Sequence, residues 1–276
     1  MGYRITILCE NSVGSISGTL GEHGFSAIIE WDGGSLLFDT GQGFTLLHNA
    51  QRMNKNLHLV KDVALSHGHY DHTGGLLPLL RTCGSKRIFG HPEVFVPRYR
   101  HKDTGENISL GVPYPKDYLE GQGGVFDFSD QYREICPGVF MTGQVPRKSS
   151  FETGDSGLFI DTSASARDPF NDDQSLVIPT TKGLVILLGC CHSGLINTLE
   201  YTSGITGRDD ILAIIGGTHL GFSSAQQLDQ TVKELKKWQI DKLAVSHCTG
   251  FNAAARLKHE FPSAFQSAHV GYSIEI

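Results

Sequence analysis

Apolar and polar positions along this chain follow two rhythms that keep exchanging places. Tyr3 to Leu8, Phe25 to Trp31 and Ser35 to Phe38 are short runs rich in aliphatic, β-branched and aromatic residues, the pattern of strands. Asp32-Gly33-Gly34, between the last two, has the chemistry of a tight hairpin turn. Phe44 to Met53 and Leu76 to Leu80 read as helices, Asp62 to Leu65 and Arg87 to Phe89 as further strands. In the second half, strands are predicted at Gln174 to Ile178, Leu184 to Leu188, Ile211 to Ile215 and Lys242 to Val245. Ser223 to Gln239 is an amphipathic helix, with Leu228, Val232, Leu235 and Trp238 at helical spacing, and Ala253 to His259 is another. Strands that alternate with helices predict an α/β architecture.

Periodicity fails from His91 to about Gln131, where Pro92, Pro97, Pro113, Pro115 and Gly121-Gln122-Gly123-Gly124 punctuate the chain. Long irregular segments in compact domains are usually functional or disordered. The aromatic content here (Phe95, Tyr99, Tyr114, Tyr118) favours an ordered flap able to cover a site, with a basic cluster at Arg98, Arg100, His101 and Lys102.

The chain has 276 residues and a formal charge of −6, which argues against a general nucleic-acid binder with its basic face. No apolar run approaches the ~20 residues needed to span a bilayer. The N-terminus reads as the first strand rather than a signal peptide. Six cysteines, at 9, 83, 136, 190, 191 and 248, contain no Cys-x-x-Cys pair and do not form a disulfide framework for a chain this long. A reducing cytoplasm is the expected compartment. Self-association is left open.

The densest chemistry lies in Ser66-His67-Gly68-His69-Tyr70-Asp71-His72-Thr73-Gly74-Gly75, directly after Val63-Ala64-Leu65. Neutral imidazole and carboxylate are the donors of catalytic transition-metal sites. His67 and His69, one residue apart on an extended segment, point the same way and can bind one ion. Asp71 and His72, around the turn, can face a second. Gly74 and Gly75 let the backbone pass close to the site. Further histidines stand at strand ends: His192 after Leu184 to Gly189, His219 after Ile211 to Gly217, and His247 after Leu243 to Val245. Strand ends are where α/β sheets present sites. The halves echo each other, since Val63-Ala64-Leu65-Ser66-His67 and Leu243-Ala244-Val245-Ser246-His247 both end an apolar strand in Ser-His.

His-x-His-x-Asp-His resembles the signature of the metallo-β-lactamase superfamily. Glu22-His23-Gly24-Phe25-Ser26, Leu37-Phe38-Asp39-Thr40-Gly41, Gly189-Cys190-Cys191-His192-Ser193-Gly194, Gly216-Gly217-Thr218-His219-Leu220 and Ser246-His247-Cys248-Thr249-Gly250 narrow the resemblance. They are similar to one branch, the 7,8-dihydropterin-6-methyl-4-(β-D-ribofuranosyl)aminobenzene 5′-phosphate synthase-like metal-dependent hydrolases. The resemblance implies an αββα four-layer sandwich formed by 1–276 as one domain, with the irregular insertion at about 91–131. It implies one or two divalent transition-metal ions, zinc first, with iron or manganese as alternatives. His247 matches the last superfamily ligand and would complete the second ion with Asp71 and His72. His192 is the candidate third ligand of the first ion, with His67 and His69.

One departure from the pattern leaves the ligand set open. Much of the superfamily has Gly-Asp where this chain has Gly189-Cys190, and the usual third histidine lies where this chain has Asn171-Asp172-Asp173-Gln174-Ser175. Either His192 supplies the missing imidazole, or Asp173 and Cys190 are ligands. A thiolate would favour softer ions such as zinc or iron. Asp39 is expected either to orient a ligating histidine or to cap a turn. His219 is a candidate to touch substrate or shuttle a proton. Arg147 and Lys148 are the candidates for binding an anionic group, guanidinium being suited to phosphate and carboxylate. His23, His48, His58, His91, His259 and His269 read as structural or surface residues.

The leading functional expectation is a hydrolase in which Asp71 helps steer a metal-activated water onto a small, phosphate-bearing substrate. The alternatives are a transferase that releases diphosphate from a dihydropterin methyl group, and an iron-bearing redox or sensor protein on the same fold.

Overall fold

The computed structural model describes residues 2–276, which divide into two compact units. The first comprises the chain through Ser129 together with Ser156–Asp172 and His269–Ile276. Its seven-stranded sheet runs, in spatial order, Ser273–Glu275, Tyr3–Cys9, Ser26–Trp31, Gly34–Phe38, Asp62–Ala64, Lys86–Gly90 and Gly124–Phe128. The hairpin closes through Asp32-Gly33, with Trp31 paired to Gly34 and Gly33 at φ +91°. That conformation is strained for residues with a Cβ. From Gly34–Phe38 onward the strands are parallel, so their carboxyl ends share one rim. Helices Leu46–Arg52 and Leu76–Cys83 supply Leu46, Leu76, Leu79 and Leu80 to a core with Leu37, Val63, Leu65 and Ile88. Each such buried side chain contributes about 1.5–3 kcal/mol of hydrophobic transfer.

The second unit, Asp130–Asp155 with Asp173–Ala268, repeats the plan. Its sheet runs Phe265–Ser267, Gln239–Ser246, Asp210–Gly217, Gly183–Leu188, Ser175–Thr180, Val139–Met141 and Arg133–Cys136. The first four are parallel. Helices Leu195–Thr206, Ala225–Leu235 and Gly250–Glu260 bury Leu195, Leu199, Val232, Leu235 and Leu257 against Ile186, Ile214 and Leu243.

The stretch expected to be irregular has more structure than its sequence announces. Tyr99–His101, Asn107–Ser109 and Leu158–Phe159 form a small antiparallel sheet, and Lys116–Gly121 is a helix. Gly124–Phe128 is a full strand of the main sheet, paired in parallel with Lys86–Gly90. It is an edge strand, with Val125 exposed, so it needs no continuous apolar run to be stable there. Arg98 does not belong to a basic surface cluster. It is 1% exposed, whereas Arg100, His101 and Lys102 are exposed.

Candidate metal centre

In the first unit the strand Asp62–Ala64 delivers Ser66, His67, Gly68 and His69 to the rim, and the short helix Tyr70–Thr73 carries Asp71 and His72. Gly74 and Gly75 allow the close approach that this turn requires. A Cβ on either would overlap the carbonyl oxygens of Gln42 or Thr40. His67, His69, Asp71 and His72 are all buried. His67 Nε2 lies 3.0 Å from His69 Nδ1, and the His67 and His72 rings are 4.3 Å apart. Burial, reinforced by the neighbouring His72 and His69, holds the His67 imidazole well below its usual range. It is therefore neutral at pH 7, the form that donates to a metal.

Asp39 organises these rings from the end of Gly34–Phe38. Its carboxylate accepts the Ser66 N–H and hydroxyl, each at 2.7 Å, and contacts His72 Nδ1 at 2.7 Å. Ser66 Oγ in turn lies 2.8 Å from His67 Nδ1. With Nδ1 of His72 engaged by a carboxylate, Nε2 is left as its donor atom. His23, which sequence reasoning left among the structural histidines, places Nε2 3.2 Å from Asp71 Oδ2. Glu22 beside it is a loop organiser, accepting the N–H groups of Gln42, Phe44 and Thr45.

In the second unit the three strand-end histidines stand on sharp turns. His219 and His247 adopt positive φ, at 55° and 52°, as does Cys191 at 62°. Backbone held this way costs about 1–3 kcal/mol per residue and concentrates at functional sites. Donor atoms of Cys190, His192 and His219 lie within 4.8 Å of one another, as do those of Cys190, His247 and Cys248. The His192 and His219 rings are 4.2 Å apart, and Asp155 Oδ2 is 3.9 Å from His219 Nε2. His192, His219 and Asp155 line a small cavity of about 30 Å³ with Glu152, Thr218 and Gln227.

The thiols divide by environment. Burial, with Asp173 nearby, pushes the Cys191 thiol well above its usual range, and Cys191 packs against Thr198. Burial also opposes ionisation of Cys248. Hydrogen bonding involving Cys190 and His219 and the charges of His247 and His219 more than offset it, so Cys248 sits well below the usual thiol range. Sequence reasoning named Cys248 within the Ser246-His247-Cys248-Thr249-Gly250 motif and left it out of the candidate ligands.

The remaining candidates have other neighbours. Asp173, 1% exposed, accepts the Ser193 N–H at 2.8 Å, which ties down the turn that carries His192. It is not among the clustered donors. Arg147 and Lys148 are exposed on a loop stitched to that same turn. Arg147 Nη2 donates to the His192 carbonyl at 2.8 Å, and Asn197 Oδ1 accepts from the N–H groups of Lys148 and Ser149.

The buried imidazoles and carboxylate of the first unit, and the imidazoles and thiols of the second, are donor types that fit divalent transition metals. The sequence profile of the metallo-beta-lactamase superfamily matches residues 20–143. A 7,8-dihydropterin-6-methyl-4-(beta-D-ribofuranosyl)-aminobenzene-5'-phosphate synthase of Methanocaldococcus jannaschii is 30% identical, over 99% of this chain and 96% of its own length. A second, uncharacterized protein of that organism is 31% identical over 92% of this chain and 94% of its own length. The crystal structure of Tm1679, a metal-dependent hydrolase of the beta-lactamase superfamily, superposes with a TM-score of 0.86 at 30% identity and 99% coverage of both chains. The chain belongs to the metallo-β-lactamase superfamily and has its α/β fold. Within that superfamily it belongs with the synthase-like branch that its motifs resemble.

Proposed function

We propose that the chain is a metal-dependent enzyme that breaks a bond to a phosphate group of a small anionic substrate, with hydrolysis as its reaction. The observation that carries this reading is the His67, His69, His72 cluster, buried, neutral at His67 and oriented through Asp39 and Ser66. His67, His69, Asp71 and His72 in the first unit, and His192 and His247 in the second, are the proposed metal donors. Cys190, clustered with His192 and His219 and with His247 and Cys248, is a candidate sulfur donor, and sulfur favours zinc or iron. When bound, such ions supply Lewis acidity, polarising water and the group under attack. Asp71, whose carboxylate faces His23, steers the water. His219, with Asp155 near its ring, moves a proton at the rim of the cavity. Arg147 and Lys148 provide positive charge to anchor an anionic group of the substrate.

A second reading has one specific observation in its favour. The 30% identical relative that matches nearly the whole chain is named a synthase. In that case an arylamine displaces diphosphate from a dihydropterin methyl group, and the product is a new C–N bond rather than an alcohol. The test incubates the metal-loaded protein with bis-(4-nitrophenyl) phosphate, with 4-nitrophenyl phosphate and with a dihydropterin-methyl diphosphate, the last with and without an arylamine. Phosphoester turnover, or amine-independent release of diphosphate, supports hydrolysis. Strictly amine-dependent release supports the transfer and rejects the primary reading. Penicillin turnover should stay below about 10⁴ M⁻¹s⁻¹ in kcat/KM, the low end of the ordinary enzyme range. Cys190 in place of a bridging carboxylate changes the charge that superfamily lactam chemistry would use, and fold does not fix function.

A further inference from the structure

Arg98 heads the fully buried side chains by volume, and it lies in a segment whose sequence suggested a flap able to cover a site. A guanidinium in that position needs compensation, since an unpaired buried charge is among the most costly features of a fold. It has two carboxylates. Nε donates to Asp168 Oδ2 at 2.7 Å, and Nη2 donates to Asp172 Oδ1 at 2.6 Å, while Nη1 reaches the Val96 carbonyl at 3.2 Å.

What those carboxylates hold beyond Arg98 is the informative part. Asp172 Oδ2 accepts the N–H of Gly68 at 2.7 Å, and Gly68 is the residue between His67 and His69. Asp168 Oδ1 accepts the N–H of Phe170 at 2.8 Å. Phe170 is held at φ 52°, a conformation that bulky residues avoid, and its ring meets His69 edge-on at 5.9 Å. The fit leaves no slack, because a Cβ on Gly68 would overlap the Val94 carbonyl and stand 2.6 Å from Arg98 Nη1. The far side of the loop is tied in the same way. Tyr70 N–H donates to the Leu110 carbonyl, and Leu110 N–H donates to the Arg98 carbonyl.

We infer that Arg98 is a positioning residue of the metal centre: through Asp172 it fixes the Gly68 peptide, and through Asp168 and Phe170 it fixes the ring of His69. The inference rests on the reading of His67 and His69 as ligands. It assigns the segment that follows His91 a task other than covering substrate. Its first part is a strap that sets the spacing of two donors, and the charge pair inside the strap is what makes that spacing rigid. Such preorganisation is what separates a site that binds a metal tightly from one that merely contains the ligands.

The test is Co(II) binding by the full chain after metal removal, with affinity read by chelator competition and ligand geometry by the d–d absorption. Asp172→Asn is nearly isosteric but offers one acceptor oxygen to two donors, so either Arg98 or Gly68 loses its partner. Arg98→Lys keeps the charge but cannot span both carboxylates. Gly68→Ala displaces the loop while removing neither the buried guanidinium nor its carboxylates, and so answers the question even if the charge variants misfold. All three should bind Co(II) at least about tenfold more weakly, with a changed d–d spectrum. Leu46→Ala, a cavity in the same core, should lower the melting temperature while leaving affinity and spectrum as in the wild type. If Gly68→Ala and any folded charge variant match the wild type in both readouts, the inference is overturned. If the wild type itself takes up no Co(II), or takes it up just as His67→Ala does, the ligand assignment fails first and the inference with it.

Discussion

At Asp39 one carboxylate satisfies three donors at once, the Ser66 N–H, the Ser66 hydroxyl and His72 Nδ1, in a fully buried residue at φ 57°. That local strain persists because the surrounding hydrogen bonds over-determine it. Asp39→Asn removes one acceptor oxygen, so a donor is left unsatisfied and His72 loses its charged partner. Metal affinity should fall by about 10–100-fold, the usual consequence of disturbing a partner of a ligating histidine, with the fold retained. A zinc competition titration on the two proteins would detect it, and equal affinities would reduce Asp39 to a turn cap. The sequence displayed the His67 to His72 donors openly, because one strand end and one turn carry them all. It could not distinguish the two roles weighed for Asp39, because Ser66 and His72 are 27 and 33 residues away. Arg98, Asp168 and Asp172 were illegible for the same reason. A buried ion pair between positions 70 and 74 residues apart leaves no local pattern.

Among the elements, strands and amphipathic helices with strong periodicity could be placed to within a few residues, and Leu195–Thr206 could not. Its sequence carries Thr198, Thr202, Ser203, Gly204 and Thr206, which are indifferent or poor helix formers. Its amino end follows Gly194, without a side-chain cap from its own N-cap residue. The cap comes instead from Glu152, whose carboxylate accepts the N–H groups of Ile196 at 2.8 Å and Asn197 at 2.9 Å. A tertiary cap of this kind is invisible to any local reading. Glu152→Ala should therefore destabilise the protein by about 1–3 kcal/mol, the scale of charge-assisted hydrogen bonds lost in a buried setting. Glu152→Gln, which keeps one acceptor, should cost less. Urea unfolding separates the two variants, and an unchanged midpoint for Glu152→Ala would remove the cap from the account.

For the whole molecule, each of the two sheets has four parallel strands beside three antiparallel ones, and the Ser-His echo follows one parallel strand in each, Asp62–Ala64 and Gln239–Ser246. The α/β class was readable from the alternation of strand-like and helix-like runs, and the superfamily from the His67-x-His69-x-Asp71-His72 motif. The placement of Phe265–Ser267, Ser273–Glu275 and Val139–Met141 was not, because they are three residues each, too short to show a period. The central claim is that donors from the His67 motif and from the later strand ends hold transition-metal ions. Elemental analysis per chain, on wild type, His67→Ala and His247→Ala purified side by side, tests it most directly. The account predicts one or two transition-metal ions in the wild type and a clear loss in each variant, with circular dichroism unchanged. Full metal retention in both variants, or a wild type without metal after reconstitution, would contradict it.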